Sequence, residues 1–354
     1  MLRWDDLADV PRAVGPTVVT IGVFDGVHRG HQRVIGRVVE LARQRNATSV
    51  VVTFDPHPAA VVRPDAAPLL LASLDHRLER FESLSVDAVL VLRFDKERSL
   101  QPAEAFAREL AGALRPVAVV VGDDFRFGHK AAGDVDLLRR LGAELGFEVE
   151  GLARRDAEIG PDSEAGGAAG SARSDADVDT ATVSSTAVRR ALERGDVAGA
   201  RRLLGYPFRV EGVVVEGAHR GRELGFPTAN VPAPAGMALP ADGVYAGWLT
   251  IRDTGAPETA GATGGSAVTS GERARPAGPL PAAISVGTNP QFGKEPRRVE
   301  SYVLDRDDLE LYDLTVRVEF VDRVRGQQRF PTVDALIAQM TDDVERVRQI
   351  LTAE

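Results

Sequence analysis

The chain has 354 residues, 44% of them hydrophobic and 27% charged, which is enough apolar material for two domain cores. It contains no cysteine, so disulfides, thiolate zinc sites and cysteine nucleophiles are excluded. Asp plus Glu at 52 against Lys plus Arg at 43 gives a net charge of −9, which argues against non-specific nucleic-acid binding but leaves local phosphate sites open.

The first residues, Met1-Leu2-Arg3-Trp4-Asp5-Asp6, lack the basic-then-apolar order of a secretory signal. No run approaches the ~18 apolar residues of a membrane span, so a cytoplasmic protein is expected. Residues 17–21 are β-branched and predicted as strand, and helical spacing follows over 31–45. Strands are predicted again at 49–54, 86–92, 117–121 and 147–152, with helices at 102–114 and 134–145. Strands apolar throughout and separated by helices belong to a parallel sheet covered on both faces. Right-handed crossovers then make a doubly wound α/β domain. Residues 158–180 are rich in Gly, Ala, Ser and Asp and read as a flexible insert, after which helices are predicted at 186–194 and 197–204. From residue 206 the character changes. Strands at 210–215, 243–251, 282–286, 299–304 and 314–320 are separated by Gly, Pro and Asn turns, which predicts a small antiparallel β-barrel. Residues 254–279 read as a second flexible insert. An amphipathic helix closes the chain at 332–351, with Leu336, Ile337, Met340, Val344, Val347 and Ile350 on one face. The expected domains are residues 1–195 and 207–354, joined by 196–206.

The string Gly22-Val23-Phe24-Asp25-Gly26-Val27-His28-Arg29-Gly30-His31 lies where a predicted strand meets a helix. That is the end of an open α/β sheet at which ligands bind. Glycines let backbone N–H groups approach phosphates, and the start of a helix favours anions. His28 and His31, three apart, can both aim at one triphosphate and stabilise the charge that develops on phosphorus. The plainer alternative is a Gly-rich turn with two surface histidines. A zinc site finds no further ligand nearby.

This string resembles the HxGH class of nucleotidylyltransferases. In its longer form, GxFDGxHxGH, it resembles the N-terminal domain of bacterial bifunctional riboflavin kinase/FAD synthetases. Three more segments agree with that family: Thr53-Phe54-Asp55-Pro56-His57-Pro58, Gly122-Asp123-Asp124-Phe125-Arg126-Phe127-Gly128, and Val183-Ser184-Ser185-Thr186-Ala187-Val188-Arg189. The resemblance implies that His28 and His31 meet the ATP phosphates, with Gly22, Phe24, Asp25, Gly26 and Gly30 around them. Ser185 or Thr186 could cap a helix or bond a phosphate, and Arg189, one turn further in, could neutralise the triphosphate. It also implies that Phe54, Pro56, His57 and Pro58 hold FMN together with Asp124, Phe125 and Phe127. One position departs: the family usually has Asn where this chain has Asp124. A carboxylate there would repel a flavin phosphate, so Asp124 is expected to point away or to have an altered role.

A second informative string is Gly221-Arg222-Glu223-Leu224-Gly225-Phe226-Pro227-Thr228-Ala229-Asn230. Its glycines and Pro turn bring backbone close to a ligand, and Thr228 and Asn230 offer oxygens to a hard cation such as Mg²⁺. A structural loop closing a barrel is the alternative. The string closely resembles the GxxLGFPTAN element of riboflavin kinases. The resemblance assigns Gly221, Gly225, Phe226, Pro227, Thr228 and Asn230 to the ATP–Mg²⁺ site, with Thr228 and Asn230 at the metal. Gly243 to Gly247 and Ser285 to Gly293 match further family elements, with Gln291 where the family usually has Thr. Val299-Glu300-Ser301-Tyr302-Val303-Leu304-Asp305 matches the family's ExHxxD strand, with Tyr302 in the His position. Carried over, Glu300 is the general base that takes the proton of the flavin 5′-hydroxyl. Without the resemblance it could be a charge on the outer face of an edge strand. Arg325 and Phe330 match positions that border the flavin, where a solvated Arg and a core Phe are the alternative.

The resemblance spans about residues 15–350 and implies two activities. The C-terminal domain would phosphorylate riboflavin to FMN, and the N-terminal domain would adenylylate FMN to FAD with release of pyrophosphate. ATP is the shared substrate and Mg²⁺ is implied at both sites. Riboflavin, FMN, FAD and ATP are the expected partners, with no nucleic acid, no membrane, and room for a weak homo-oligomer. A nucleotidylyltransferase for another phosphorylated acceptor and a non-catalytic flavin sensor remain as alternatives.

Overall fold

The computed structural model describes residues 1–153, 183–216, 226–252, 278–288 and 297–354. The chain forms two compact units. The first is Met1–Val188 with Leu203–Gly205 and Gly236–Ala238, and the second is Arg189–Arg202, Tyr206–Ala235 and Leu239–Glu354.

In chain order the first unit holds β1 (Leu2–Trp4), β2 (Thr17–Ile21), α1 (Arg29–Gln44), β3 (Thr48–Asp55), α2 (Pro58–Val62), α3 (Leu74–Ser83), β4 (Ala88–Arg93), α4 (Lys96–Leu100), α5 (Ala103–Leu114), β5 (Pro116–Gly122), α6 (Val135–Leu145) and β6 (Glu148–Leu152). The six strands are parallel in the order β1-β4-β3-β2-β5-β6. Alternation along a strand sends successive side chains to opposite faces. Val50 and Val52 of β3 enter one core with Phe106, Leu110 and Leu138, from α5 and α6. Val51, between them, enters another with Ile35 and Phe81, from α1 and α3. The doubly wound architecture expected from the Val-rich strands is therefore present. Sequence reading missed β1, α3 and the short α2 and α4. The α3 stretch, Leu-Asp-His-Arg-Leu-Glu-Arg-Phe-Glu-Ser, carries its apolar face on only Leu74, Leu78 and Phe81. Ser73 caps it by accepting a hydrogen bond from the His76 amide at 3.2 Å.

The helices α7 (Ser185–Glu193) and α8 (Val197–Leu204) follow, and Gly205 ends the second with a left-handed φ of 81°. The second unit then holds β7 (Phe208–Val213), β8 (Thr228–Pro232), β9 (Gly243–Ile251), β10 (Leu280–Gly287), β11 (Arg298–Val303), β12 (Thr315–Gly326) and α9 (Val333–Thr352). Its six-stranded antiparallel sheet has the order β7-β12-β9-β10-β11-β8. A bridge between Val215, just beyond β7, and Asn230 of β8 joins the two ends and closes the sheet on itself, so the barrel expectation holds. Phe208, Tyr245 and Phe320 fill its interior with edge and tilted ring contacts at 5.5 and 6.1 Å. Outside, α9 lays Val347 and Leu351 on Ala246, Leu304 and Val321, with Val344 and Ile350 beside them. Leu336, Ile337 and Met340, nearer its start, are half-buried. β8 was read as a turn because Pro227 and Pro232 bracket it. As an end strand of the sheet it tolerates proline there.

Residues 254–277 of the second expected insert and all of 158–180 lie outside the described residues, as do the candidate residues Gly221 and Gly225 and the string from Asn289 to Gly293.

Candidate functional site

A cleft of about 870 Å³ opens in the first unit at the carboxyl ends of β2 and β5. Its size suits a nucleotide. Gly22, Phe24, His28, Gly30 and His31 line one side, with Asp124 and Phe125 after β5 and Ser185 and Thr186 at the start of α7 also in the wall. The loop that carries the histidines is bent into the left-handed region at Phe24 (φ 52°), Gly26 (76°) and Val27 (34°). For the β-branched Val27 this is genuine strain, of order 1–3 kcal/mol, held by the surrounding contacts. His28 stands at the N-cap of α1, where its Nδ1 accepts from the His31 amide at 3.3 Å. An accepting Nδ1 leaves the proton of the neutral ring on Nε2, which is therefore a donor. The two imidazoles stack at 3.6 Å between centroids, and Phe24 meets His31 edge-on at 5.2 Å. Gly30 permits this packing, since a Cβ there would lie 3.2 Å from the His28 ring.

Other expected residues shape the loop rather than line the cleft. Asp25 is buried, and its Oδ1 accepts from the Leu71 and Ala72 amides at 2.9 and 3.2 Å. Gly26 packs against Leu71 and Leu204, where a side chain would not fit. The Ser185 hydroxyl donates to the Asp25 carbonyl at 2.9 Å, and the capping role falls to Ser184, whose Oγ accepts from the Ala187 amide at 3.2 Å. Arg189 lies one turn into α7 and is not part of the cleft wall. Of the expected flavin residues, Phe125 lines the cleft and stacks on Phe127 at 5.3 Å. Phe127 continues to Phe106, and Phe106 to Phe54, as one aromatic layer. His57 caps α2, accepting from the Ala59 amide at 3.0 Å; Pro58 opens that helix, and Pro56 follows Asp55 through a cis bond.

Two residues that sequence reading did not single out also line the cleft: Arg29 and Arg33, one turn apart at the start of α1. Basic side chains are unfavourable at a helix N-terminus unless an anion sits there, and that was the signal available in the sequence.

On the barrel, register aligns the second set. Asn230 is paired with Glu300, Glu300 with Ser285, Ser285 with Val244, and Val244 with Arg325. Directly paired residues point to the same face, so these five form one row across β8, β11, β10, β9 and β12. Thr228 and Tyr302 pair two residues further along the same face. The intervening residues Val299, Ile284 and Tyr245 are fully buried in the barrel, so the row lies on its outer side. The edge-strand alternative for Glu300 does not hold, since β11 lies between β10 and β8. Asn230 Nδ2 donates to the Thr228 carbonyl at 3.2 Å, which leaves its Oδ1 as an acceptor or cation ligand. Phe226 meets Tyr302 edge-on at 5.3 Å, and Pro227 leads into β8. Arg325 is not solvated: Asp343 of α9 takes its guanidinium at 2.6 and 2.9 Å, and Phe330 lies 5.6 Å beneath it.

A FAD synthetase family model matches residues 11–160, and a riboflavin kinase family model matches 204–351. The bifunctional riboflavin kinase/FMN adenylyltransferase of Escherichia coli K12 is 35% identical over 94% of this chain and 92% of its own length. The enzyme of the same description from Pseudomonas fluorescens is 34% identical over the same shares. The chain belongs to the bifunctional riboflavin kinase/FMN adenylyltransferase family. Members phosphorylate riboflavin to FMN and adenylylate FMN to FAD, and this chain carries both halves with ATP as the substrate of each. A solved structure from Streptococcus pneumoniae, described as a macrolide-efflux protein, shares the fold over 98% of both chains with a TM-score of 0.76 and 27% identity. Among the described residues, no helix of the chain is long and apolar enough to cross a membrane.

Proposed function

We propose that adenylyl transfer takes place in the cleft of the α/β unit and phosphorylation on the polar row of the barrel, with residues 1–195 and 207–354 as the two working domains and 196–206 connecting them. The observation that carries the first half is the stacked His28–His31 pair on the cleft wall, with the His28 ring oriented through its Nδ1 so that Nε2 carries the proton. In this reading the FMN phosphate attacks the α-phosphorus of ATP and pyrophosphate leaves. Both imidazoles donate to phosphate oxygens as charge builds there, with Gly30 beside them in the first turn of α1. Thr186 and Ser185 line the cleft beside this loop, while Asp25 and Gly26 fix the loop. Phe125 offers a ring face to the isoalloxazine, backed by Phe127.

On the barrel, Glu300 accepts the proton of the riboflavin 5′-hydroxyl as that oxygen attacks the γ-phosphorus, and ADP leaves. The support is its register position beside Asn230. Thr228 and Asn230 present hard oxygens two residues apart, a donor set that fits Mg²⁺. Among the described residues no group of three or more His, Asp or Glu could hold a metal unaided, so the cation would be shared with ATP oxygens. Bound there, it supplies charge neutralisation at the γ-phosphate. Arg325, held by Asp343, positions Phe330 at the flavin end of the row.

The test is the double variant His28→Ala, His31→Ala supplied with riboflavin, ATP and Mg²⁺. FMN should accumulate at the wild-type rate, with FAD formation reduced about 10³-fold or more. Retained FAD synthesis would remove the histidines from the mechanism.

A further inference from the structure

Arg77 lies on α3 with 4% of its surface exposed and has no counterpart among the expected site residues. Its Nη1 is 2.9 Å from the Val23 carbonyl, 3.0 Å from Thr53 Oγ1 and 3.2 Å from the Phe54 carbonyl. Its Nη2 is 3.3 Å from Asp55 Oδ1. Val23 sits between Gly22 and Phe24, which line the cleft, and Thr53 to Asp55 lead into the loop that carries Pro56 and His57. One planar fork thus spans the two substrate-side loops, which leave the neighbouring strands β2 and β3. The same helix reaches the first loop twice more. Phe81 packs edge-on against Phe24 at 5.7 Å, and the residues leading into α3 donate their amides to Asp25.

A buried cation is expensive, and burial indeed pushes the Arg77 guanidinium below its ordinary value, against the opposing pull of Asp55 and Asp25. A Leu or Met would hold α3 on the sheet at lower cost. What only a guanidinium does is gather two carbonyls, a hydroxyl and a carboxylate around one side chain.

We propose that Arg77 is a positioning residue for adenylyl transfer, setting the register of the 22–24 loop against the 54–58 loop so that ATP and FMN meet in line. The proposal rests on ATP and FMN occupying this cleft. A shift of about 1 Å between such loops costs on the order of 10²-fold in rate.

The test uses the full chain carrying Arg77→Lys and, separately, Arg77→Met, with KM for ATP, KM for FMN and kcat measured for FAD formation. Riboflavin phosphorylation in the same preparations serves as the internal standard. Loss of folded molecules lowers apparent kcat and leaves both KM values unchanged. Misregistered loops raise KM for FMN as well. The expected result is a fall of about 10- to 100-fold in kcat/KM for FMN in Arg77→Lys, with a raised KM and wild-type kinase turnover, and a larger fall in Arg77→Met. If Arg77→Met does not fold, the Lys variant decides alone. Wild-type KM values for both nucleotides in Arg77→Lys would overturn the proposal. Failure of the cleft assignment would appear separately, as FAD synthesis surviving the loss of His28 and His31.

Discussion

In the α/β unit the candidate side chains hang on loops bent at the carboxyl ends of β2 and β5, whereas on the barrel they stand on strands and are aligned by register. The loop site needs backbone that sequence alone would not favour: left-handed Phe24 and Val27, a buried Asp25 carboxylate answering two amides, and a buried Arg77 spanning two loops. The strand site needs none of this. Asn230, Ser285, Glu300 and Arg325 share a row because antiparallel pairing puts them there. The two proposed phosphate sites are therefore built differently, by strained, braced loops in one unit and by sheet periodicity in the other. Mutations should separate the two.

The largest effect is expected on the strand side. Glu300→Gln keeps the shape of the row but removes the proposed base, so kinase turnover should fall about 10³-fold while FAD formation from supplied FMN continues. Full kinase activity in that variant, measured by FMN release, would remove Glu300 as the base.

Next comes the brace between the barrel and its helix. Arg325 and Asp343 are 16% and 6% exposed at their side chains. Asp343→Ala strands the guanidinium, and the barrel unit should lose about 3 kcal/mol in denaturant unfolding. A loss under about 1 kcal/mol would show that the pair contributes little beyond surface attraction.

Burial pushes the Tyr245 phenol up to about 12 from an ordinary 10.0. The folded chain then holds this proton longer than the unfolded one does. Stability fully present below pH 10 is lost as pH rises toward 12, by about 2–3 kcal/mol. In an alkaline unfolding series Tyr245→Phe should lack this loss. Parallel curves for the two proteins would show that the phenol is not protected.

The smallest effect probes how tightly the loop site is packed. Gly30→Ala places a methyl 3.2 Å from the His28 ring. FAD formation should fall by less than about 10-fold, with kinase activity untouched. No change would mean that the imidazoles have room to shift without consequence.

Much of this was legible in the chain. Runs such as Val50-Val51-Val52 announce strands buried on both faces, and Gly22 to His31 announces a loop at a strand end. Four things were not. The α3 segment is too polar to register as a packed helix, so Arg77 was not singled out. β8 was hidden by Pro227 just before it and Pro232 at its end. The row that joins Asn230 to Glu300 depends on a pairing between segments 70 residues apart in sequence, which no local periodicity encodes. The solvated alternative for Arg325 failed because Asp343, an acidic residue inside an otherwise apolar helix face, grips its guanidinium.

Complementation tests the separateness of the two ATP sites most directly. The His28→Ala, His31→Ala variant and the Glu300→Gln variant are each given riboflavin, ATP and Mg²⁺, then mixed in equal amounts, and FAD is read by chromatography. Neither protein alone should carry riboflavin through to FAD at more than a trace, and the mixture should restore FAD through free FMN. A mixture that makes no more FAD than its parts would contradict two independent sites on one chain.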